Sequence, residues 1–211
     1  MKRRKGVGHT EPYCIKSNIY AIGKGLDFLL HMLEIVLPVR YLWSYFTQQN
    51  MDRSYHYTVY AGYHQFYLSR DEDSLVGSGA ASFWTRETIR KLLATGPGLV
   101  GIGTGTYGDV PVTIHLAGGD PKDDLTGWDH VAETWIDLCS GRLHVIGCPD
   151  DPAGLIELEP GIYRVRVYSA KLDTIENQRG EDYYRIVMWS DAPCPPRVLK
   201  QWPTALTFEC D

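Results

Sequence analysis

Apolar and polar residues alternate with period two along most of the second half of this chain. Tyr163-Arg164-Val165-Arg166-Val167-Tyr168 follows the turn signal Pro160-Gly161, and Asp182 to Trp189 forms a second such run between Gly180 and Pro193. Trp128 to Leu138 and Leu143 to Ile146 read the same way and are split by Ser140-Gly141. Several short strands at this spacing predict a mainly β fold, an antiparallel β-sandwich. Parity sets the faces: Tyr163, Val165 and Val167 are expected inside, with Arg164 and Arg166 facing solvent or pairing with acids. Tyr184, Ile186 and Met188 are expected opposite Tyr183, Arg185 and Val187.

Upstream, Tyr55 to Leu68 reads as one aromatic-rich strand, followed by a polar loop over Ser69 to Ser82. That strand places His56 and His64 on the same face, roughly 26 Å apart. Thr85 caps one short helix with Glu87 near its positive end, Ile89, Leu92 and Leu93 facing inward, and Gly96-Pro97-Gly98 as its stop. Leu99 to Ile102 and Val110 to Leu116 are expected to form a hairpin through the glycine-rich turn between them. Gly118 to Gly127 is an acidic loop.

Residues 1–50 differ from the rest. Leu26, Leu29, Leu30, Leu33, Val36 and Leu37 recur at helical spacing and predict an amphipathic helix ending before Pro38. The expected organisation is a helical leader, 1–50, and a β-sandwich domain, 51–211. The stretch Ile19 to Phe46 is too interrupted by charge and by Pro38 to span a membrane. Met1-Lys2-Arg3-Arg4-Lys5 is not followed by the apolar run a signal peptide needs.

Charge sharpens the split. The chain holds 21 Lys/Arg and 26 Asp/Glu, of which residues 1–50 hold seven and three. Residues 51–211 therefore carry 14 basic and 23 acidic residues, a net charge of −9. Such a domain is poorly suited to nucleic acid, whose phosphates demand Lys and Arg, and better suited to a basic protein. The acids expected to meet that partner are Asp120, Asp123 and Asp124 in one loop and Asp150 and Asp151 in another. Five cysteines without C-x-x-C spacing read as reduced thiols in a cytoplasmic protein, with a Cys139–Cys148 bridge as the alternative.

Catalytic signatures are incomplete. Gly103-Thr104-Gly105-Thr106-Tyr107-Gly108 matches G-x-G-x-x-G, but a strand follows it where a dinucleotide site needs a helix. No H-E-x-x-H and no His/Cys cluster of zinc spacing occurs, although His130 and His144 on adjacent strands could be joined by Cys139 or Cys148. The acidic loops lack EF-hand spacing. Asp129, Glu133 and Asp137 alternate onto one strand face with Trp135, either as the polar face of an amphipathic strand or as the wall of a sugar cleft. No cofactor is expected.

Short motifs over about residues 55–190 resemble the competence protein J family, whose known member inhibits a DNA-entry nuclease. Gly62-Tyr63-His64-Gln65-Phe66 resembles that family's Y-H-Q-F strand. Phe83-Trp84-Thr85-Arg86-Glu87 resembles its W-T-x-E helix start, and Leu158 to Tyr163 its P-x-G-x-Y hairpin. The resemblance implies a small β-sandwich that binds and blocks a nuclease, with Tyr63, His64, Gln65, Phe66, Trp84, Thr85 and Glu87 as the matched positions. In the residues' own terms Tyr63 to Phe66 read as core and buried polar positions of the first strand. Two functions stay open: a non-catalytic protein-binding domain of nuclease-inhibitor or immunity type, and a carbohydrate-active or metal-dependent hydrolase with its carboxylates on a β-sandwich.

Overall fold

A computed structural model describes residues 52–71, 75, 78, 79 and 81–203. The expected leader helix, and Met51 at the proposed boundary, lie outside the described residues. Among the described residues eleven strands form two mostly antiparallel sheets, as the alternation predicts. Those of the first half are β1 (Arg53–Ala61), β2 (Gln65–Ser69), β3 (Leu93–Gly96), β4 (Leu99–Gly103) and β5 (Gly108–Leu116). Then come β6 (His130–Leu138), β7 (Arg142–Gly147), β8 (Asp151–Glu157), β9 (Gly161–Ala170), β10 (Tyr183–Ser190) and β11 (Arg197–Lys200). Sheet A has the order β1-β5-β10-β9-β6-β11, and sheet B the order β3-β4-β2-β7-β8. Within sheet A, β5 and β10 run parallel.

The core between the sheets follows parity. Tyr163, Val165 and Val167 of β9 and Tyr184, Ile186 and Met188 of β10 meet Phe66, Leu68, Ile102 and Val145 from sheet B. The outer face of sheet A is not bare. Val187 and Trp189 of β10, Tyr168 of β9, Val131 of β6 and Leu199 of β11 pack there with Leu125 and Trp128 of the loop before β6, a further apolar cluster.

Three local expectations are overturned. Tyr55 to Leu68 is not one strand: the chain leaves sheet A at Ala61, turns through Gly62–His64 and enters sheet B as β2. A Cβ at Gly62 would run into the Cys148 carbonyl oxygen, so glycine lets the two strands pass closely here. His64 lies in that turn, so it shares no strand face with His56. Second, β4 and β5 form no hairpin. They belong to different sheets, and residues 104–107 carry the chain back from B to A. Third, the helix α1 (Arg86–Arg90) ends before Gly96, and Gly96-Pro97-Gly98 is instead the turn between β3 and β4. Its start is as read: the Thr85 side chain accepts from the Thr88 N–H, completing a capping box.

Candidate protein-binding surface

The two sheet crossings meet at one end of the sandwich. Tyr63 and His64, in the first crossing, have φ of 54° and 59°. A tyrosine rarely adopts this left-handed backbone, at a cost of about 1–2 kcal/mol. The turn holds Tyr63 outside, where it is 67% exposed. Tyr107, in the second crossing, packs edge-on against three rings: Tyr60 at 6.3 Å, Tyr63 at 6.1 Å and His64 at 5.6 Å between centroids. His64 Nδ1 donates to the Gly105 carbonyl at 3.0 Å, and the Thr104 N–H donates to the His64 carbonyl at 2.8 Å. Burial pulls the His64 imidazole below its ordinary pKa, against the Gly105 hydrogen bond and Asp182, which raise it.

Beneath Tyr107 lies a buried lock that the sequence did not announce. Asp182, 1% exposed, accepts from the Gly105 N–H at 3.2 Å, the Thr106 N–H at 3.1 Å and the Tyr184 hydroxyl at 2.5 Å. Its second oxygen accepts from the Thr106 hydroxyl. The Gly105 N–H also reaches the Tyr184 oxygen at 2.9 Å. The backbone donors of G-x-G-x-x-G are therefore not turned to a phosphate: those of Gly105 and Thr106 meet the Asp182 carboxylate, and those of Gly103, Thr104 and Tyr107 meet backbone carbonyls. A Cβ on Gly105 would collide with Ile175.

Acidic side chains surround this end. Asp109, exposed, is the cross-strand partner of Tyr60 and so shares its face. Cys148 bridges Ala61, and its N–H donates to the Tyr60 carbonyl at 2.9 Å, which brings the exposed Asp150 and Asp151 to the same crossing. The other expected acids lie elsewhere, over the outer face of sheet A. There Asp120 pairs with Arg166 at 2.7 Å, Asp123 lies 3.4 Å from Arg185 and accepts from the Tyr168 hydroxyl, and Asp124 accepts from Thr126. The five acids therefore do not form one patch.

The Y-H-Q-F motif is divided by the turn. Phe66 is core, edge-on to Tyr184, and Gln65 is half-buried with its amide on the Cys148 sulfur. Tyr63 corrects the expectation of a core position. Of the second motif, Thr85 is the helix cap, Trp84 stands half-buried against Phe83, and Glu87 pairs with Lys91 at 2.6 Å. Glu87 and Lys91 also line a groove of about 460 Å³ with Arg86, Arg90, Val198 and Gln201.

The candidate enzyme groups are occupied by structure. Glu133 is 0% exposed and pairs with Arg164, Arg166 and Arg197. Burial pushes its carboxyl up, but the three guanidiniums outweigh that and hold it below the ordinary value. An ionised, enclosed carboxylate of this kind cannot protonate a glycosidic oxygen. Asp129 accepts from the Leu172 N–H, and Asp137 lies 3.9 Å from Arg70. His130 and His144 stand in different sheets. His130 Nε2 donates to the Lys91 carbonyl and Nδ1 accepts from the Trp202 N–H, so no zinc site joins the two histidines. Cys148 and Cys194 are free thiols, so no Cys139–Cys148 bridge exists. Among the described residues no group of three His, Cys, Asp or Glu could hold a metal, and no helix is long and apolar enough to cross a membrane.

No protein-family model matches the chain, and no curated protein matches it in sequence. Two solved structures are similar to it. One is ComJ, the inhibitor of the DNA-degrading activity of NucA from Bacillus subtilis, at a TM-score of 0.50 and 14% identity over 67% of this chain and 98% of that one. The other is described as crocagin biosynthetic gene J, at a TM-score of 0.45 and 15% identity over 67% and 99% of the two chains. The likeness to ComJ makes the fold ComJ-like.

Proposed function

We propose that this domain is a non-catalytic protein-binding module of inhibitor type and that its partner is a nuclease. The observation that carries the reading is the fold shared with the nuclease inhibitor ComJ across nearly all of that chain. Two physical features support it. The domain is acidic, and a nuclease must present a cationic surface to its DNA. Glu133, the buried one of the three candidate catalytic carboxylates, is enclosed by Arg164, Arg166 and Arg197. A reducing cytoplasm is the compartment this reading assigns, in keeping with the free thiols of Cys148 and Cys194.

The test is plasmid digestion by purified NucA with increasing amounts of the full chain. Stoichiometric suppression of cleavage is expected. Undiminished cleavage at a tenfold excess of the chain overturns the reading.

A further inference from the structure

We infer that the crossing end of the sandwich, Tyr60, Tyr63 and Tyr107 with Asp109, Asp150 and Asp151, is the surface that docks onto the cationic DNA-binding face of a nuclease. The inference rests on the inhibitor reading above and adds where contact is made. Four observations converge on it.

First, Tyr63 is the most exposed large hydrophobic residue among the described residues, ahead of Leu155 and Tyr183. A left-handed turn presents it to solvent, where burial in the core gives it nothing. Strain kept for an exposed side chain points to use outside the fold. Second, the ring cluster is rigid. Tyr107 is held by its edge contacts, by its N–H on the Gln178 carbonyl at 2.7 Å and by the Asp182 lock under residues 105 and 106. A preorganised aromatic surface loses little entropy on binding, which is what makes tyrosine effective in interfaces. Third, the hydroxyls of Tyr60, Tyr63 and Tyr107 make no hydrogen bond with the described residues, so all three can be offered to a partner. Fourth, Asp109, Asp150 and Asp151 are exposed and form no ion pair among the described residues, whereas Asp120 and Asp123 are committed to Arg166 and Arg185. Arg179 follows Gln178 in the chain, and the backbone of Arg179 pairs with Glu176.

The chemistry of the partner follows. Carboxylates without counter-ions attract Lys and Arg, and tyrosine rings accept guanidinium stacking. A surface built to hold phosphates and stack bases offers both kinds of group. This end presents acids and rings in place of phosphates and bases.

The experiment maps the contact on the labelled full chain by NMR, with NucA as the probe, and measures binding of variants. Amide shifts are expected at residues 60–64, 105–109 and 150–151. Tyr63→Ala, at an exposed position, is expected to weaken binding by about thirtyfold, the scale of an interface anchor. Replacing Asp109, Asp150 and Asp151 by Asn is expected to slow association and flatten its salt dependence, with dissociation little changed. Shifts confined to residues 118–127, or Tyr63→Ala binding like the native chain, overturn this docking surface and leave the inhibitor reading standing. Absence of any shift, with plasmid cleavage undiminished, overturns the inhibitor reading and this surface with it.

Discussion

Replacing Asp182 tests whether the buried lock organises the crossing end. In Asp182→Ala the Thr106 N–H, the Thr106 hydroxyl and the Tyr184 hydroxyl all lose their acceptor, while the Gly105 N–H keeps the Tyr184 oxygen. Thr106 and Tyr184 are buried, so water cannot replace that acceptor. Each orphaned buried donor costs about 1–3 kcal/mol. Relief from keeping a carboxylate out of water offsets part of the sum, so a net loss of about 3–5 kcal/mol is expected. Asp182→Asn keeps one oxygen for the two N–H groups and the Tyr184 hydroxyl. It turns an amide toward Thr106, whose hydroxyl can rotate to accept it. What disappears is the ionic strength of the hydrogen bonds, so about 1–2 kcal/mol should be lost. Urea unfolding followed by tryptophan fluorescence reads both values, provided the slope is unchanged between variants. At about 2–4 °C per kcal/mol, the alanine variant should melt roughly 10 °C lower. A loss under about 1 kcal/mol for Ala, or equal losses for Ala and Asn, refutes the lock.

Three further outcomes are expected. Burial lowers the pKa of both His64 and His130 in the fold, so the unfolded chain binds more protons below its own value of about 6.5. Their contribution is therefore complete above that pH and declines as pH falls through it, and equal urea midpoints at pH 7.5 and 5.5 would contradict it. Glu133→Gln leaves three arginines around a neutral group and should cost about 3–5 kcal/mol. Glycan hydrolysis by the native chain that this variant abolishes at unchanged stability would instead install the hydrolase reading. A chain beginning at Met51 should keep the near-UV dichroism of the full chain, and its loss would show that residues 1–50 complete the core.

What was legible in the sequence is what strand parity encodes. On β9 and β10 neighbouring residues must face opposite sides, so Val165 and Ile186 could be placed inside from alternation alone. The Thr85 cap was legible because its partner is three residues away. Sheet membership is not local. Glycines between two apolar runs look the same whether the chain doubles back or crosses over, so β4 and β5 read as a hairpin. The burial of Glu133 depends on arginines 31, 33 and 64 residues away in sequence, beyond any window of alternation. Tyr63 misled for another reason: tyrosine favours strands, and nothing in its own chemistry announces a left-handed turn. Asp182 opens its alternating run on the same parity as Tyr184, but alternation does not tell which loop donors an inward acid meets.

The parallel pairing of β5 with β10 bears on how this chain is made. All five strands of sheet B lie between Gln65 and Glu157, and are present once that much has left the ribosome. Sheet A cannot close then, because β10 joins β5 to β9 and ends only at Ser190. At ~5–20 residues per second, synthesis of Leu158 to Ser190 takes a few seconds. During that interval the apolar face carried by Phe66, Leu68, Ile102 and Val145 has no β9–β10 surface to cover it. The nascent domain therefore passes through a window in which a chaperone, or another nascent copy, meets an unpaired sheet.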